Sequence, residues 1–403
     1  MSSRLLRNVS EAAPAGAAPA AGDAAKRRAL RDPVLFVVST LGIGGSERKI
    51  VRLANALSAR GRRVALAYLN EPDALAAELD SAVPADNLRR KGKFSIAALH
   101  RLHTLIELHG ARAVISVNLY PTLYTGLLAR LSRRSQHVRF IASLNTTDLG
   151  ERTQKQMLLY RPALRAMDEL IFGAEHQRRL WSARQLQGRS PPSRVLYNGV
   201  DTEYFDRTTV PAWRPPDWPR NRRVIGAVGM LRAEKSHDHL LRAVQALHRS
   251  GLDVGVVLVG EGGQRAALHR LADELDLSGR VHMAGAVRDV RPYLAGFDLF
   301  VLTSTAVETF SNAALEALAM GVPVLSSRIG GMPEMLSEGG GSTYESGEIG
   351  ALVAKLQEAL DPGGDLLSRW SRRAREVAQT RFSMQRMVVQ FEEAIDAADS
   401  STI

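Results

Sequence analysis

The chain of 403 residues contains no cysteine, which excludes disulfides, thiolate nucleophiles and Cys-ligated zinc and agrees with a reducing compartment. Aromatic residues make up only 5%, and no helix-turn-helix, zinc-finger or RRM-like string occurs, so no nucleic-acid partner is expected. Long hydrophobic runs are missing too. The longest uncharged stretch, Ala113 to Ala129, is interrupted by Ser116, Asn118, Pro121 and Gly126 and is too short and polar for a membrane span. Met1 to Arg31 is rich in Ala, Pro and Gly and lacks the apolar core of a signal peptide, so a disordered tail is expected there.

The hydrophobic share, 45%, is enough for more than one core, and the length favours two or three domains. The net charge of +11 is unevenly placed: residues 1–200 carry 31 Lys and Arg against 15 Asp and Glu, whereas residues 201–403 carry 22 against 27. The basic first half is either a solvated surface or a face for an anionic membrane or acidic acceptor. Arg89, Arg90, Lys91 and Lys93 form one compact cluster, within a segment read as helical from Leu88 to His109. Arg130, Arg133 and Arg134 form another, after Leu127, Leu128 and Leu131, and one amphipathic helix would hold both features.

Apolar runs alternate with helical patterns along the whole chain, the signature of an α/β protein. Val34 to Ser39 is a strand followed by a glycine loop, Gly42-Ile43-Gly44-Gly45-Ser46-Glu47-Arg48, and a helical pattern to Ala59. Glycines let backbone approach a ligand, and the helix N-terminus behind them favours phosphate; a plain chain-reversing turn would read the same. Strands are also expected at Arg63 to Leu69, Ala113 to Val117, Arg139 to Leu144, Glu169 to Phe172, Arg223 to Val228, Val254 to Val259 and Leu299 to Leu302. Pro211, Pro215, Pro216 and Pro219 punctuate a linker.

The most informative stretch is Val301 to Glu334, VLTSTAVETFSNAALEALAMGVPVLSSRIGGMPE. A strand ends in Thr303-Ser304-Thr305, a loop carries Glu308, and Ser311 or Asn312 caps a helix that Gly321 stops. A turn at Thr309 to Asn312 would offer unpaired N–H groups to a diphosphate. Glu308 and Glu316 flank it; alone, such a spacing could be a loop acid and a surface acid. His237 and His239, two apart on a helix, point away from each other and are read as structural.

Taken together, E-x7-E with Phe310 after the first acid, LEALAMGVPV around the second, GGMPE beyond, GGSER at residues 44–48 and NGVD at 198–201 resemble glycosyltransferase family 4, whose members retain anomeric configuration. GEGG at 260–263 and RFSM at 381–384 add to the resemblance, which runs over about residues 34–395. It implies the GT-B fold, α/β, with two Rossmann-like domains whose parallel sheets face across a cleft. The expected layout is a tail at 1–31, an acceptor-side domain at 32–201, a Pro-rich linker at 202–222, a nucleotide-sugar-binding domain at 223–380 and a helix at 381–403 crossing back to the first domain.

The resemblance further implies transfer of a hexose-type sugar from a UDP- or GDP-sugar to a glycan or lipid-linked acceptor in envelope polysaccharide synthesis, by a cytoplasmic protein peripheral on the inner membrane face. No cofactor is expected besides the nucleotide-diphosphate sugar as co-substrate, and no metal, since no D-x-D string occurs. Donor-binding positions are then Gly44, Gly45, Arg232, Lys235, Gly260, Gly262, Val287, Glu308, Phe310, Ser311, Asn312 and Glu316. Glu316 would hold ribose hydroxyls, Glu308 the transferred sugar, and Arg232, Lys235 and Gly45 the diphosphate. Glu308, Asn145, Arg232 and Lys235 are the catalytic set. The chain departs from the family at Asn145, where relatives often carry histidine, and mildly at Ser236, where glycine is common. A nucleotide-sugar epimerase or a non-catalytic nucleotide-sugar-binding protein are the other readings, told apart by isomerisation without acceptor or by binding without turnover. A two-carboxylate hydrolase is disfavoured because residues eight apart on one helix lie about 12 Å apart.

Overall fold

The computed structural model describes residues 32–132, 138–146, 151–184, 186, 190–306 and 308–397. The tail at 1–31, Arg133, Arg134, Thr147, Asp148 and residues 398–403 lie outside the described residues. Two parallel sheets organise the chain. The first has seven strands: β1 (Val34–Val38), β2 (Val64–Tyr68), β3 (Ala85–Asn87), β4 (Ala113–Val117), β5 (Arg139–Leu144), β6 (Glu169–Phe172) and β7 (Ser193–Val195). Their order is β3-β2-β1-β4-β5-β6-β7. Between them run α1 (Gly45–Ala59), α2 (Ile96–Leu108), α3 (Leu119–Ser132), α4 (Glu151–Leu164) and α5 (Glu175–Arg184).

The second sheet has six strands: β8 (Arg223–Val228), β9 (Val254–Val259), β10 (Val281–Gly285), β11 (Leu299–Leu302), β12 (Val324–Ser327) and β13 (Gly341–Tyr344). Their order is β10-β9-β8-β11-β12-β13. Its helices are α6 (His237–Arg249), α7 (Arg265–Glu274), α8 (Arg291–Gly296), α9 (Asn312–Ala319), α10 (Met332–Met335), α11 (Ile349–Leu360) and α12 (Leu366–Arg381), and α13 (Met384–Asp396) ends the described chain. Both sheets reverse strand order once, between β1 and β4 and between β8 and β11. A crevice opens at the carboxyl ends of the strands at such points, and ligands of α/β proteins collect there. The central strands are unbroken apolar runs, VLFVV in β1 and VGVVLV in β9, with every residue buried, because helices cover both faces.

The last helix belongs to the first domain's core. Met387, Phe391 and Ile395 of α13 pack with Ile50, Leu53 and Leu57 of α1 against β1 and β2. Polar contacts fix the crossing: Arg60 pairs with Glu392 at 2.9 Å and the buried Arg62 with Asp396 at 2.7 Å. Phe391→Ala is therefore expected to destabilise the first domain by about 3–5 kcal/mol, read as faster hydrogen exchange in β1 and β2.

Two expectations about local structure change. The segment from Leu88 is not helical until Ile96, where Ser95 Oγ accepts from the Ala98 N–H; Arg89 and Gly92 take positive φ (48° and 65°), which holds the basic cluster in a loop. The Pro-rich segment does not hang free between domains. Trp213 and Trp218 pack against the second domain's core, the Trp213 N–H donates to Pro292 O at 2.9 Å, and Arg214 pairs with Asp298 at 3.0 Å. Indoles this large are stable only when covered, so the segment lies on the second domain.

Candidate active site

A cavity of about 490 Å³ lies between the carboxyl edges of the two sheets. The first domain supplies Gly44, Gly45 and the face of α1 that carries Arg48, Lys49 and Arg52; the second supplies Gly229, Gly260, Val287, Asn312 and Glu316. Of the expected donor-binding residues, Gly44, Gly45, Gly260, Val287, Asn312 and Glu316 line this cavity together.

Asn312 ties the two halves. Ser311 rather than Asn312 caps α9, its Oγ accepting from the Ala314 N–H at 3.3 Å, which frees the Asn312 amide. That amide donates to Gly45 O at 3.3 Å and accepts from Asn198 Nδ2 at 2.9 Å. The Gly44-Gly45 loop and the helix N-terminus thus face each other.

Glu316, one turn into α9, points at α1, with Arg52 Nη1 3.7 Å from its Oε1. Burial drives its pKa up to about 7, against the pull of Arg52 and Arg48. Removal from water disfavours the charged carboxylate there.

Lys49 was not singled out in the sequence. It is 6% exposed, its Nζ reaches Asn145 Oδ1 at 3.5 Å and lies 5.7 Å from the Phe391 ring centroid. Among the described residues no carboxylate pairs with it, and burial lowers its pKa to about 8. Asn145 itself receives Thr309 Oγ1 on its carbonyl at 2.8 Å, and its N–H donates to Asn118 Oδ1 at 2.9 Å. Its side-chain Nδ2 is buried without a partner among the described residues. Asn145 therefore holds its amide beside a buried ammonium.

Lys235 and Glu308 pair at 2.7 Å, outside the cavity lining. The loop before α6 is pinned to the end of β11: Thr303 Oγ1 donates to Lys235 O at 2.8 Å, the Thr305 N–H donates to Glu234 O at 3.0 Å, and the Ser236 and Thr305 hydroxyls lie 2.9 Å apart. Ser236 has φ 47°, a left-handed conformation that glycine takes at no steric cost. The Glu308 backbone is held from the other side, since a Cβ on Gly330 would lie 1.8 Å from Glu308 O. Arg232 is not brought to this pair; its guanidinium lies 3.8 Å from Glu234 and is more than half exposed.

Three expected residues serve packing instead. Phe310 is buried, with ring centroids 5.0 Å from Tyr197 and 5.3 Å from Phe382; it braces the loop from behind and does not face the cavity. Ser311 is spent on the cap. Gly262 makes room for the Leu231 carbonyl, which a Cβ there would approach to 2.3 Å. Gly260 shares that close contact, with φ 142° and a Cβ position 1.9 Å from Gly229 O.

Glu334, in the GGMPE string, closes the domains together. Its two oxygens accept from the Glu175 and His176 N–H groups at the start of α5, at 2.8 and 2.6 Å, and from the Tyr197 hydroxyl at 3.0 Å. The sequence signal was the GGMPE motif, but its partners lie 137 to 159 residues away in the chain.

Comparison with known proteins agrees with this geometry. The family model Glycosyltransferase Family 4 matches residues 43–204, and Glycosyl transferases group 1 matches residues 213–377. A lipopolysaccharide core biosynthesis glycosyltransferase, LpsE of Rhizobium meliloti, is 34% identical over 175 residues, 41% of this chain and 48% of that protein. A GDP-mannose-dependent phosphatidylinositol monomannoside mannosyltransferase of Mycolicibacterium smegmatis is 28% identical over 252 residues, 59% of this chain and 65% of its own length. The chain spans about half the length of the first curated relatives it matches. In fold, a glycosyltransferase of Rickettsia africae superposes with a TM-score of 0.78 at 17% identity, over 92% of this chain and all of the other. Alr3699/HepE of Anabaena, solved in complex with UDP, gives 0.76 at 20% identity, over 91% of this chain and all of the other. With both halves matched in order and two parallel-sheet domains enclosing one cleft, the chain belongs to glycosyltransferase family 4 and has the GT-B fold.

Proposed function

We propose that this chain transfers a hexose-type sugar from a nucleotide-diphosphate sugar to a glycan or lipid-linked acceptor, with retention at the anomeric carbon and without a metal, in the synthesis of lipopolysaccharide or a related envelope glycolipid. The observation that carries the reading is the shared cavity, in which the Gly44-Gly45 loop, the start of α9 and Glu316 converge from two domains. Glu316 accepts from the ribose hydroxyls, the loop N–H groups and Lys49 take the diphosphate, and the Lys235–Glu308 pair meets the transferred sugar and its bridging phosphate. The C1–O bond to the phosphate breaks as the acceptor oxygen bonds C1 on the same face. The acceptor proton passes to the departing phosphate oxygen. Fixed cations lower the barrier by stabilising the charge that develops on the leaving group. Asn145, which cannot carry a proton at neutral pH, orients the sugar as a donor and acceptor of hydrogen bonds.

Among the described residues no helix is long and apolar enough to cross a membrane. The proposed location is the cytoplasmic membrane face, reached through the basic first domain. Binding of a panel of UDP-, GDP- and ADP-sugars, with and without chelator, tests the donor site; selective chelator-insensitive binding is the expected result, and no binding to any of them would overturn the reading.

The two shifted groups set a pH window. Glu316 ionises as pH rises through about 7 and only then accepts fully from ribose, while Lys49 loses its charge above about 8. Donor affinity is expected to rise from pH 6 to 7, peak between 7 and 8 and fall beyond. Calorimetry below pH 7 should show proton release on binding, and a flat profile from pH 6 to 9 would remove both groups from the site.

A further inference from the structure

A larger cavity, about 740 Å³, opens in the first domain between α3 and α4. Its floor is set by a close helix crossing, where a Cβ on Gly126 would lie 2.6 Å from Ala163. Pro162 lies within α4 beside that crossing and lines the cavity; it lacks the N–H that would continue the helix ladder. Leu123, Leu127, Leu159 and Tyr160 form apolar walls, and among the described residues Lys93 and Arg130 are the charged lining residues and no carboxylate lines the cavity. Along α3, Tyr120 and Arg130 lie about 15 Å apart at 1.5 Å per residue. Leu131, Leu158 and Leu159 add large exposed apolar side chains on these helices, 66%, 76% and 69% exposed, a grouping that soluble surfaces rarely carry without a partner.

One end of this groove adjoins the active site. The Tyr120 hydroxyl donates to Lys93 O, and the Arg90 guanidinium stacks 4.6 Å from the Tyr120 ring and donates to its hydroxyl at 2.9 Å. Two residues before Tyr120, Asn118 holds the Asn145 backbone. Lys93 lines that end, and Arg89 and Lys91 are exposed in the same loop.

We propose that the groove holds the hydrocarbon chain of a phosphate-bearing lipid acceptor, its phosphate among Arg89, Lys91 and Lys93 and its chain running along α3 and α4 towards Arg130. This rests on the transferase reading and names the acceptor class. A free glycan would leave the leucine walls uncovered, and a flat bilayer surface would not fill a groove between two helices. The cationic end next to Asn118 places the polar head where the reacting oxygen must enter the cleft.

The test titrates dodecyl phosphate, below its micelle concentration, dodecyl maltoside and inorganic phosphate into the full chain. Dodecyl phosphate should bind saturably, the neutral detergent at least tenfold more weakly, and inorganic phosphate weakest. Leu159→Glu and Lys93→Glu, both at exposed positions that leave the core intact, should each weaken dodecyl phosphate at least tenfold and leave nucleotide-sugar binding unchanged. Equal affinity in wild type and both variants would overturn the proposal. Binding to anionic vesicles that dodecyl phosphate does not displace would overturn it too, in favour of a general membrane surface. Dodecyl phosphate binding without binding of any nucleotide sugar would support the groove while sinking the transferase reading, so the two failures are separable.

Discussion

Replacing Glu316 with alanine is expected to weaken nucleotide-diphosphate-sugar binding about 10- to 100-fold, the loss of about 1.5–3 kcal/mol that accompanies removal of hydrogen bonds to a charged group. The carboxylate sits in surroundings that raise its pKa to about 7, burial outweighing Arg52 and Arg48. Two ribose hydroxyls would replace lost water and favour the charged form, so part of the binding energy goes into ionising it. Glu316→Gln keeps the shape and one acceptor oxygen and should fall between wild type and alanine, with the pH rise from 6 to 7 abolished. The sign of the stability change separates a ligand role from a folding role. A carboxyl whose folded pKa is raised binds more protons folded than unfolded between about 4.5 and 7, so wild-type stability falls as pH rises through that window and stays low above it. Glu316→Gln should therefore be no less stable than wild type at pH 8. Full donor affinity in Glu316→Ala, measured by calorimetry at pH 7.5, would remove the residue from the donor site.

The strands were legible because buried parallel strands leave contiguous apolar runs. Arg139–Leu144, Glu169–Phe172, Arg223–Val228 and Val254–Val259 follow the expected limits residue for residue. Helix starts were less legible where a basic loop precedes the cap, as at Leu88 to Ser95, since charge content does not separate a loop from a solvated helix. Within the site, the sequence pointed to residues with conspicuous neighbours. Gly45, Asn312 and Glu316 lie in the cavity, but Phe310 followed Glu308 in the motif and turned out to brace the loop from behind. Lys49 and Arg52 stayed hidden because a charged stripe on α1 reads like any exposed helix face. Only the docking of α9 and α13 against that face buries Lys49 and sets Arg52 on Glu316. How the linker packs was hidden for a related reason: its prolines were visible, but Trp213 is covered by Tyr293, 80 residues later in the chain.

Lys235→Ala is expected to lower kcat about 10²- to 10³-fold, about 2.7–4 kcal/mol of transition-state stabilisation, with a much smaller change in donor affinity. Lys235 is held by its own backbone, through Thr303, and by the 2.7 Å pair with Glu308, so its ammonium is fixed before substrate arrives. A fixed cation gains most where charge appears during the reaction, on the phosphate oxygen leaving C1, and little in the ground state. Its removal also leaves the part-buried Glu308 carboxylate with Ser304 Oγ at 3.4 Å as its remaining side-chain contact among the described residues, so Glu308 should move and misplace the sugar. Two controls separate these effects. Lys235→Arg restores charge with a different reach and should recover part of kcat. Gly330→Ala, which places a Cβ against Glu308 O, should displace the loop while leaving Lys235 intact, raising the sugar's contribution to KM more than it lowers kcat. If Lys235→Ala changed donor affinity and kcat by the same factor, the lysine would be a uniform binding group and the charge-stabilising role would pass to Lys49, a buried ammonium that lines the cavity.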